Sequence, residues 1–280
     1  MKRARHRRRL PSIAVALGLS ALLPLACEPK VTVGDWPCTG RPAQTGDAGA
    51  PNEPAPITFD PVALPWSSGF EGGFCDFARV DGFCYGDPEA SYTLVTSPVH
   101  SGRFAAAFSV RGDGRVSNPA KQVRCVRQGR FPMEGYYSAW YFIPAFATNL
   151  DNWNLLHFQG ADPPADLRNL WDVSLVSDDS NALRLRLLSY AESLLDPEYA
   201  DAMEPIPIGA WFQIKVRFRR ASNATGELSV FQDGELVAQM TNLVTDDTIW
   251  GQLYVGNYAT DLMPVDSTVF VDDVVFSDRP

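Results

Sequence analysis

The sequence is short of the residues on which most recognisable enzyme signatures depend. It has three histidines and five cysteines in 280 residues, and none falls at the spacing of a zinc site. No glycine-rich phosphate loop and no Gly-x-Ser-x-Gly elbow is present. Internal repeats are absent. With 21 Gly, 22 Pro, 20% charged and 45% hydrophobic residues, a collagenous repeat, a coiled coil and a wholly disordered chain are excluded. The one long apolar stretch, Leu10 to Ala26, is broken by Pro11, Ser12, Gly18, Ser20 and Pro24. It is too short and too interrupted for a mature membrane-spanning helix.

Positive charge is also scarce once the first segment is set aside. Six of the 24 Lys and Arg residues fall in the first 26 positions, without one acid among them. From Cys27 on, 18 basic residues face 33 acidic ones, a net charge near −15. Duplex DNA is not an expected partner for so acidic a chain, because phosphate neutralisation supplies most of that affinity.

A cationic start followed by an apolar run ending in small residues reads as a secretory signal over 1–26. Its end, Leu23-Pro-Leu-Ala-Cys27, resembles a bacterial lipoprotein box, with Pro24 where a Leu is normal. Lipidation at Cys27 leaves Cys38, Cys75, Cys84 and Cys125, an even number suited to two disulfides in an oxidising compartment. An ordinary cleaved signal with one odd thiol is the alternative. Residues 28–56 contain six Pro and four Gly, so 27–56 is expected to be a lipidated tether. The expected location is then the cell envelope, with the lipid as the only membrane contact. Asp81-Gly82 between Cys75 and Cys84 suggests a turn joining those two, which leaves Cys38–Cys125 to pin the tether.

The body, 57–280, reads as one all-β domain. Phe212, Ile214, Val216 and Phe218 alternate with Gln213, Lys215, Arg217 and Arg219, the period of a half-buried strand. Leu183, Leu185 and Leu187 alternate with Arg184 and Arg186 in the same way. Asp233-Gly234 between two alternating runs predicts a tight hairpin. About a dozen such strands argue for two packed antiparallel sheets. Only Ala191 to Met203 has a helical look.

Ser68-Gly-Phe-Glu-Gly72, Ser97-Pro-Val-His-Ser-Gly-Arg-Phe-Ala105 and Val271-Asp-Asp-Val-Val-Phe276 resemble the concanavalin A-like jelly rolls. Tyr136-Tyr-Ser-Ala-Trp-Tyr-Phe-Ile-Pro144, Trp153-Asn-Leu-Leu-His-Phe-Gln159 and Gly209-Ala-Trp-Phe-Gln-Ile-Lys-Val216 are similar to polysaccharide lyases of the heparin-lyase and glucuronan-lyase type. The resemblance implies a β-sandwich that binds acidic polysaccharide and cleaves it by β-elimination at uronates. It also leaves open a glycan-binding or adhesion protein without turnover, or a structural envelope protein. A monomer is expected.

The resemblance implies a groove strand carrying His157 and Gln159, which alternation puts on one face. His157 with Tyr258 is the expected proton-handling pair, with Arg127 and Gln159 on the substrate carboxylate. Tyr254 and Tyr258 fall where such lyases have a strand with a Lys and a final Tyr, but Val255 stands near the Lys position. Arg184, Arg186, Lys215, Arg217 and Arg219, with Arg124 and Arg127 on a third strand, suggest a positive field for uronate carboxylates. Ordinary cross-strand ion pairs are the other reading. Glu71 and Asp272 fall where carbohydrate-binding relatives share a structural calcium ion, which favours oxygen ligands. His100 is expected to be a structural turn residue.

Overall fold

The computed structural model describes residues 63–280 apart from 79–81, 112–120, 150–151, 162–166, 179–181, 191–196, 246–247, 249, 261 and 265. The expected signal, Cys27, Cys38 and the tether lie outside the described residues. The elements in chain order are β1 (Trp66–Ser68), α1 (Cys75–Ala78), β2 (Phe83–Gly86), β3 (Ala90–Val95), β4 (Ala105–Arg111), β5 (Lys121–Arg130) and β6 (Glu134–Phe142). Then follow β7 (Thr148–Asn149), β8 (Trp153–Ala161), β9 (Arg168–Ser177), β10 (Leu183–Ser189), β11 (Glu198–Pro205) and β12 (Trp211–Arg219). The last are β13 (Gly226–Gln232), β14 (Glu235–Leu243), β15 (Trp250–Ala259), β16 (Leu262–Met263) and β17 (Asp266–Ser277).

Two antiparallel sheets form the sandwich. Sheet A runs β11-β10-β9-β8-β15-β5-β2, and sheet B runs β14-β13-β12-β6-β17-β4-β3 with β1 beside β17. The all-β jelly-roll expectation holds. Its cause is the period-two pattern. Phe212, Ile214, Val216 and Phe218 of β12 are fully buried, as are Leu185 and Leu187 of β10. Between the sheets, Phe158 stacks on Trp171 with centroids 5.7 Å apart, and Phe131, Tyr137 and Phe218 pack around that pair. Burying one such ring contributes about 1.5–3 kcal/mol. Phe158 held inward fixes the direction of its neighbour His157, since successive side chains take opposite faces. Asp233 (φ 52°) and Gly234 (φ 90°) form the expected hairpin turn between β13 and β14.

Two expectations are corrected. Residues 198–205, part of the stretch with a helical look, form edge strand β11, paired with β10. There Arg186 grips Asp201 through two bonds of 2.6 and 2.8 Å while Ala202 is buried, so tertiary pairing overrides helix propensity. Cys84 is not joined to Cys75. It stands opposite Cys125 in the β2–β5 register, and those two form the disulfide. Cys75, at the start of α1, is also disulfide-bonded.

Candidate active site

The centre of sheet A is buried on both faces. Its inner face is mainly apolar, while its outer face carries polar side chains contributed by β2, β5, β8, β9, β10 and β15. His157 on β8 lies opposite Asp172 on β9 and Tyr254 on β15. His157, Asp172, Arg124 and Tyr254 are each less than a tenth exposed. Buried charges at such positions must be paired or hydrogen-bonded.

For His157 and Asp172 this is met. His157 Nδ1 is hydrogen-bonded to Asp172 Oδ1, and the Tyr190 hydroxyl donates to Asp172 Oδ2 at 2.7 Å. Burial alone would raise the Asp172 carboxyl, but the charge of His157 and the hydrogen bonds from His157 and Tyr190 outweigh it and hold the group below the usual range. An ionised carboxylate is acceptor only. The Nδ1 therefore carries a proton and Nε2 is the free nitrogen when the ring is neutral, an arrangement that fixes tautomer and orientation together. Burial and the Asp172 charge push the Tyr190 phenol above its ordinary range, so it remains a donor.

A second network crosses the same face. Gln159 Nε2 donates to Asn169 Oδ1 at 2.7 Å. The Tyr254 hydroxyl bonds Gln159 Oε1 at 2.8 Å and also Gln252 Oε1. Gln252 Nε2 in turn donates to Gln128 Oε1 at 2.8 Å. Burial raises the Tyr254 phenol above its ordinary range, and its ring lies 5.1 Å from that of His157. Tyr258, half-buried, faces Asn154 of β8 beyond a register shift. The Arg124 guanidinium lies over the ring of Tyr258, 4.4 Å from its centroid, and 5.3 Å from that of Tyr254. Gly256 lets the β15 backbone come close to β5 beside this cluster. Its φ is +153°, and a Cβ there would stand 2.3 Å from Val123 O and 2.8 Å from Arg124 Cα.

The structure thus gathers His157, Gln159, Tyr254 and Tyr258, but not Arg127. Arg124 and Arg127 are three residues apart, so a strand must send them to opposite faces. Arg127 points inward, 5% exposed, with its guanidinium 5.8 Å from the Trp66 ring. Arg124 takes the place on the outer face. The expected single basic stripe is likewise divided. Arg184 and Arg186 share the outer face of sheet A but bond Asp178 and Asp201. Lys215 and Arg217 lie on β12 of sheet B, across the sandwich, where Arg217 pairs with Glu134 and Glu227. The arginines of β10 and β12 are therefore held mainly in cross-strand ion pairs. Sequence reasoning missed Asp172, Tyr190 and Tyr85. The parity of β5 was enough to select Arg124 over Arg127.

Glu71 and Asp272 are brought to one turn. Glu71 Oε1 accepts bonds from the Arg103 and Phe104 amides at 2.6 and 3.0 Å. Asp272, fully buried, accepts from the His100 and Ser101 amides at 3.0 and 3.2 Å. His100 bonds Asp273 at 2.7 Å and stacks on Trp140. No group of three or more acidic, histidine or cysteine side chains suited to a metal occurs among the described residues.

A model of the polysaccharide lyase family matches residues 73–275. The chain belongs to that family. No curated protein sequence matches it. Among solved structures, this polysaccharide lyase-family chain is similar to the endo-β-1,4-glucuronan lyase of the fungus Trichoderma reesei, with a TM-score of 0.54 and 18% identity over 69% of this chain and 90% of that one. It is also similar to the cellulose-induced protein Cip1, with a TM-score of 0.50 and 12% identity over 76% of this chain and 96% of that one. These likenesses show a shared fold. The family and the polar face of sheet A together make glycan cleavage the activity to explain.

Proposed function

We propose that the protein cleaves uronate-containing polysaccharide by β-elimination on the outer face of sheet A. The observation that carries this reading is the pairing of His157 with Asp172 on the same face as Tyr258 and Arg124. Elimination needs a base at C5, a group that stabilises charge on the adjacent carboxylate, and a proton for the departing oxygen. His157, with Nδ1 committed to Asp172, offers Nε2 to take the C5 proton. Arg124 and Gln159 hold the carboxylate, where a guanidinium matches carboxylate geometry. As the C4–O bond breaks and the C4=C5 double bond forms, Tyr258 supplies its phenolic proton to the leaving glycosidic oxygen. Tyr254, raised in pKa and tied to Gln159, stays protonated and keeps Gln159 in place. The test is new ultraviolet absorbance from unsaturated uronate when the purified protein meets a panel of polyuronates. Retention of glycan without absorbance would decide for a binding protein.

The remaining proposals concern setting. Lipidation of Cys27 and the Pro/Gly-rich tether would hold a monomeric domain at the cell envelope, tested by metabolic labelling with a fatty acid and its loss in Cys27→Ser. A structural calcium ion held by the Glu71 and Asp272 carboxylates is the remaining proposal, since calcium favours oxygen ligands. Backbone carbonyls would have to complete the ligand set.

A further inference from the structure

Tyr85 has no part in the elimination outlined above, yet it stands against Arg124. It lies on β2, the edge strand of sheet A, directly opposite Arg124 in the β2–β5 register. The Tyr85 hydroxyl donates to Gln122 Oε1 at 3.0 Å, and the charge of its cross-strand neighbour Arg124 acts on the phenol. Gln122 and Arg124 are two residues apart and so on one face of β5, and the bond to Gln122 holds the phenol beside that face. Burial raises its pKa despite the opposing effect of Arg124, which keeps it a neutral hydrogen-bonding group.

What holds Tyr85 there is covalent. β2 has four residues, its pairing is to β5 alone, and its burial is slight, with Phe83 exposed. A strand so short, at an edge, has little packing to keep it in register. The residue before Tyr85 is Cys84, and the residue after Arg124 is Cys125. These two are also opposite each other and are joined by the disulfide. Beyond Tyr85, Asp87 closes the far end by donating its backbone N–H to Gln122 O at 2.9 Å and accepting the Gln122 amide on its carboxylate at 2.9 Å. The bridge thus fixes register at the very pair whose outward neighbours are Tyr85 and Arg124.

We propose that Tyr85 is a positioning residue of the site, acting through Arg124, and that the Cys84–Cys125 disulfide is what keeps it in register. The inference rests on the assignment of Arg124 to the substrate carboxylate. A guanidinium on a long flexible stem loses rotamer freedom when it binds. Tyr85 on one side and the rings of Tyr254 and Tyr258 on the other restrict it beforehand, so less freedom is lost with substrate.

The experiment compares wild type, Tyr85→Phe and the paired Cys84→Ala/Cys125→Ala variant on the polyuronate that wild type cleaves. A reductant would also open the bond at Cys75, so the paired substitution is the cleaner probe. Tyr85→Phe loses the bond to Gln122 that holds the ring beside Arg124, which predicts a rise in KM of roughly two- to tenfold, with the pH profile unchanged because His157 and Asp172 are untouched. The cysteine pair should show the same KM effect, with faster hydrogen exchange confined to 83–86. Tyr85→Phe keeps the disulfide and ring, so it still tests the inference if the cysteine variant does not fold. Wild-type kinetics in Tyr85→Phe, or a pH profile that moves with it, would overturn the proposal. So would unchanged exchange at 83–86 in a folded cysteine variant. Wild type that cleaves no polyuronate would instead remove the assignment of function on which the inference stands.

Discussion

Tyr190 donates its phenolic proton to the same Asp172 carboxylate that receives Nδ1 of His157. The histidine therefore does not have sole use of the negative charge behind it. The Tyr190 bond is one of the contacts that hold the Asp172 carboxyl below its usual range. Tyr190→Phe removes that bond and lets the carboxyl rise toward its ordinary value, so acid unfolding should begin at higher pH than in wild type, with only a modest loss of activity at neutral pH. Asp172→Asn should lower activity more severely, because the tautomer that frees Nε2 is no longer enforced. The Asp172 carboxyl is depressed in the folded protein. Its stabilising contribution is therefore present above the ordinary aspartate value of 3.8 and is lost as pH falls through the folded value. Acid unfolding followed by circular dichroism should show that component in wild type and not in Asp172→Asn.

The two arginines of β5 separate site from scaffold. Arg124→Ala is expected to leave the fold intact and reduce kcat/KM by a hundredfold or more, the scale of losing one charge-stabilising donor. Arg127→Ala should instead lower the melting temperature, because its side chain packs inward on Trp66. The kcat of the folded fraction should stay near wild type. Reversed outcomes would mean that the substrate does not approach the outer face of sheet A.

Much of this arrangement was legible in the sequence, and the errors have definite causes. Alternation located the strands of both sheets, because one face of each had to be buried. The same rule puts residues 124 and 127 on opposite faces, so the misplacement of Arg127 came from treating the strand as a basic cluster rather than counting along it. Sheet assignment is different. Arg186 and Arg217 look alike in sequence, and only the order of strands in space reveals that they lie across the sandwich from each other. Asp172 sits between Trp171 and Val173 with no local motif, and its role follows from facing His157. β11 reads as helix because its Glu, Ala and Met residues favour one, and the Asp201–Arg186 pair that holds it extended spans 15 positions.

A non-reduced peptide map should recover a Cys84–Cys125 cross-link. With that pair formed and Cys27 lipidated, Cys38 is the cysteine left for Cys75. A map joining Cys38 to Cys125 would contradict both assignments.

The calcium proposal is tested by melting. A ligand bound only to the native state stabilises it, so excess chelator should lower the melting temperature of wild type. Asp272→Asn should show no further drop on chelation. An unchanged wild-type melting curve would leave Glu71 and Asp272 as clamps on the 100–104 turn alone.

The most direct measurement is the rate of unsaturated uronate formation by wild type, His157→Ala and Tyr258→Phe, with folding of each checked by melting. The account predicts absorbance that rises with wild type on at least one polyuronate, and a loss of about a hundred- to ten-thousand-fold in each variant. Equal rates in wild type and both variants, or no product on any polyuronate, would contradict it.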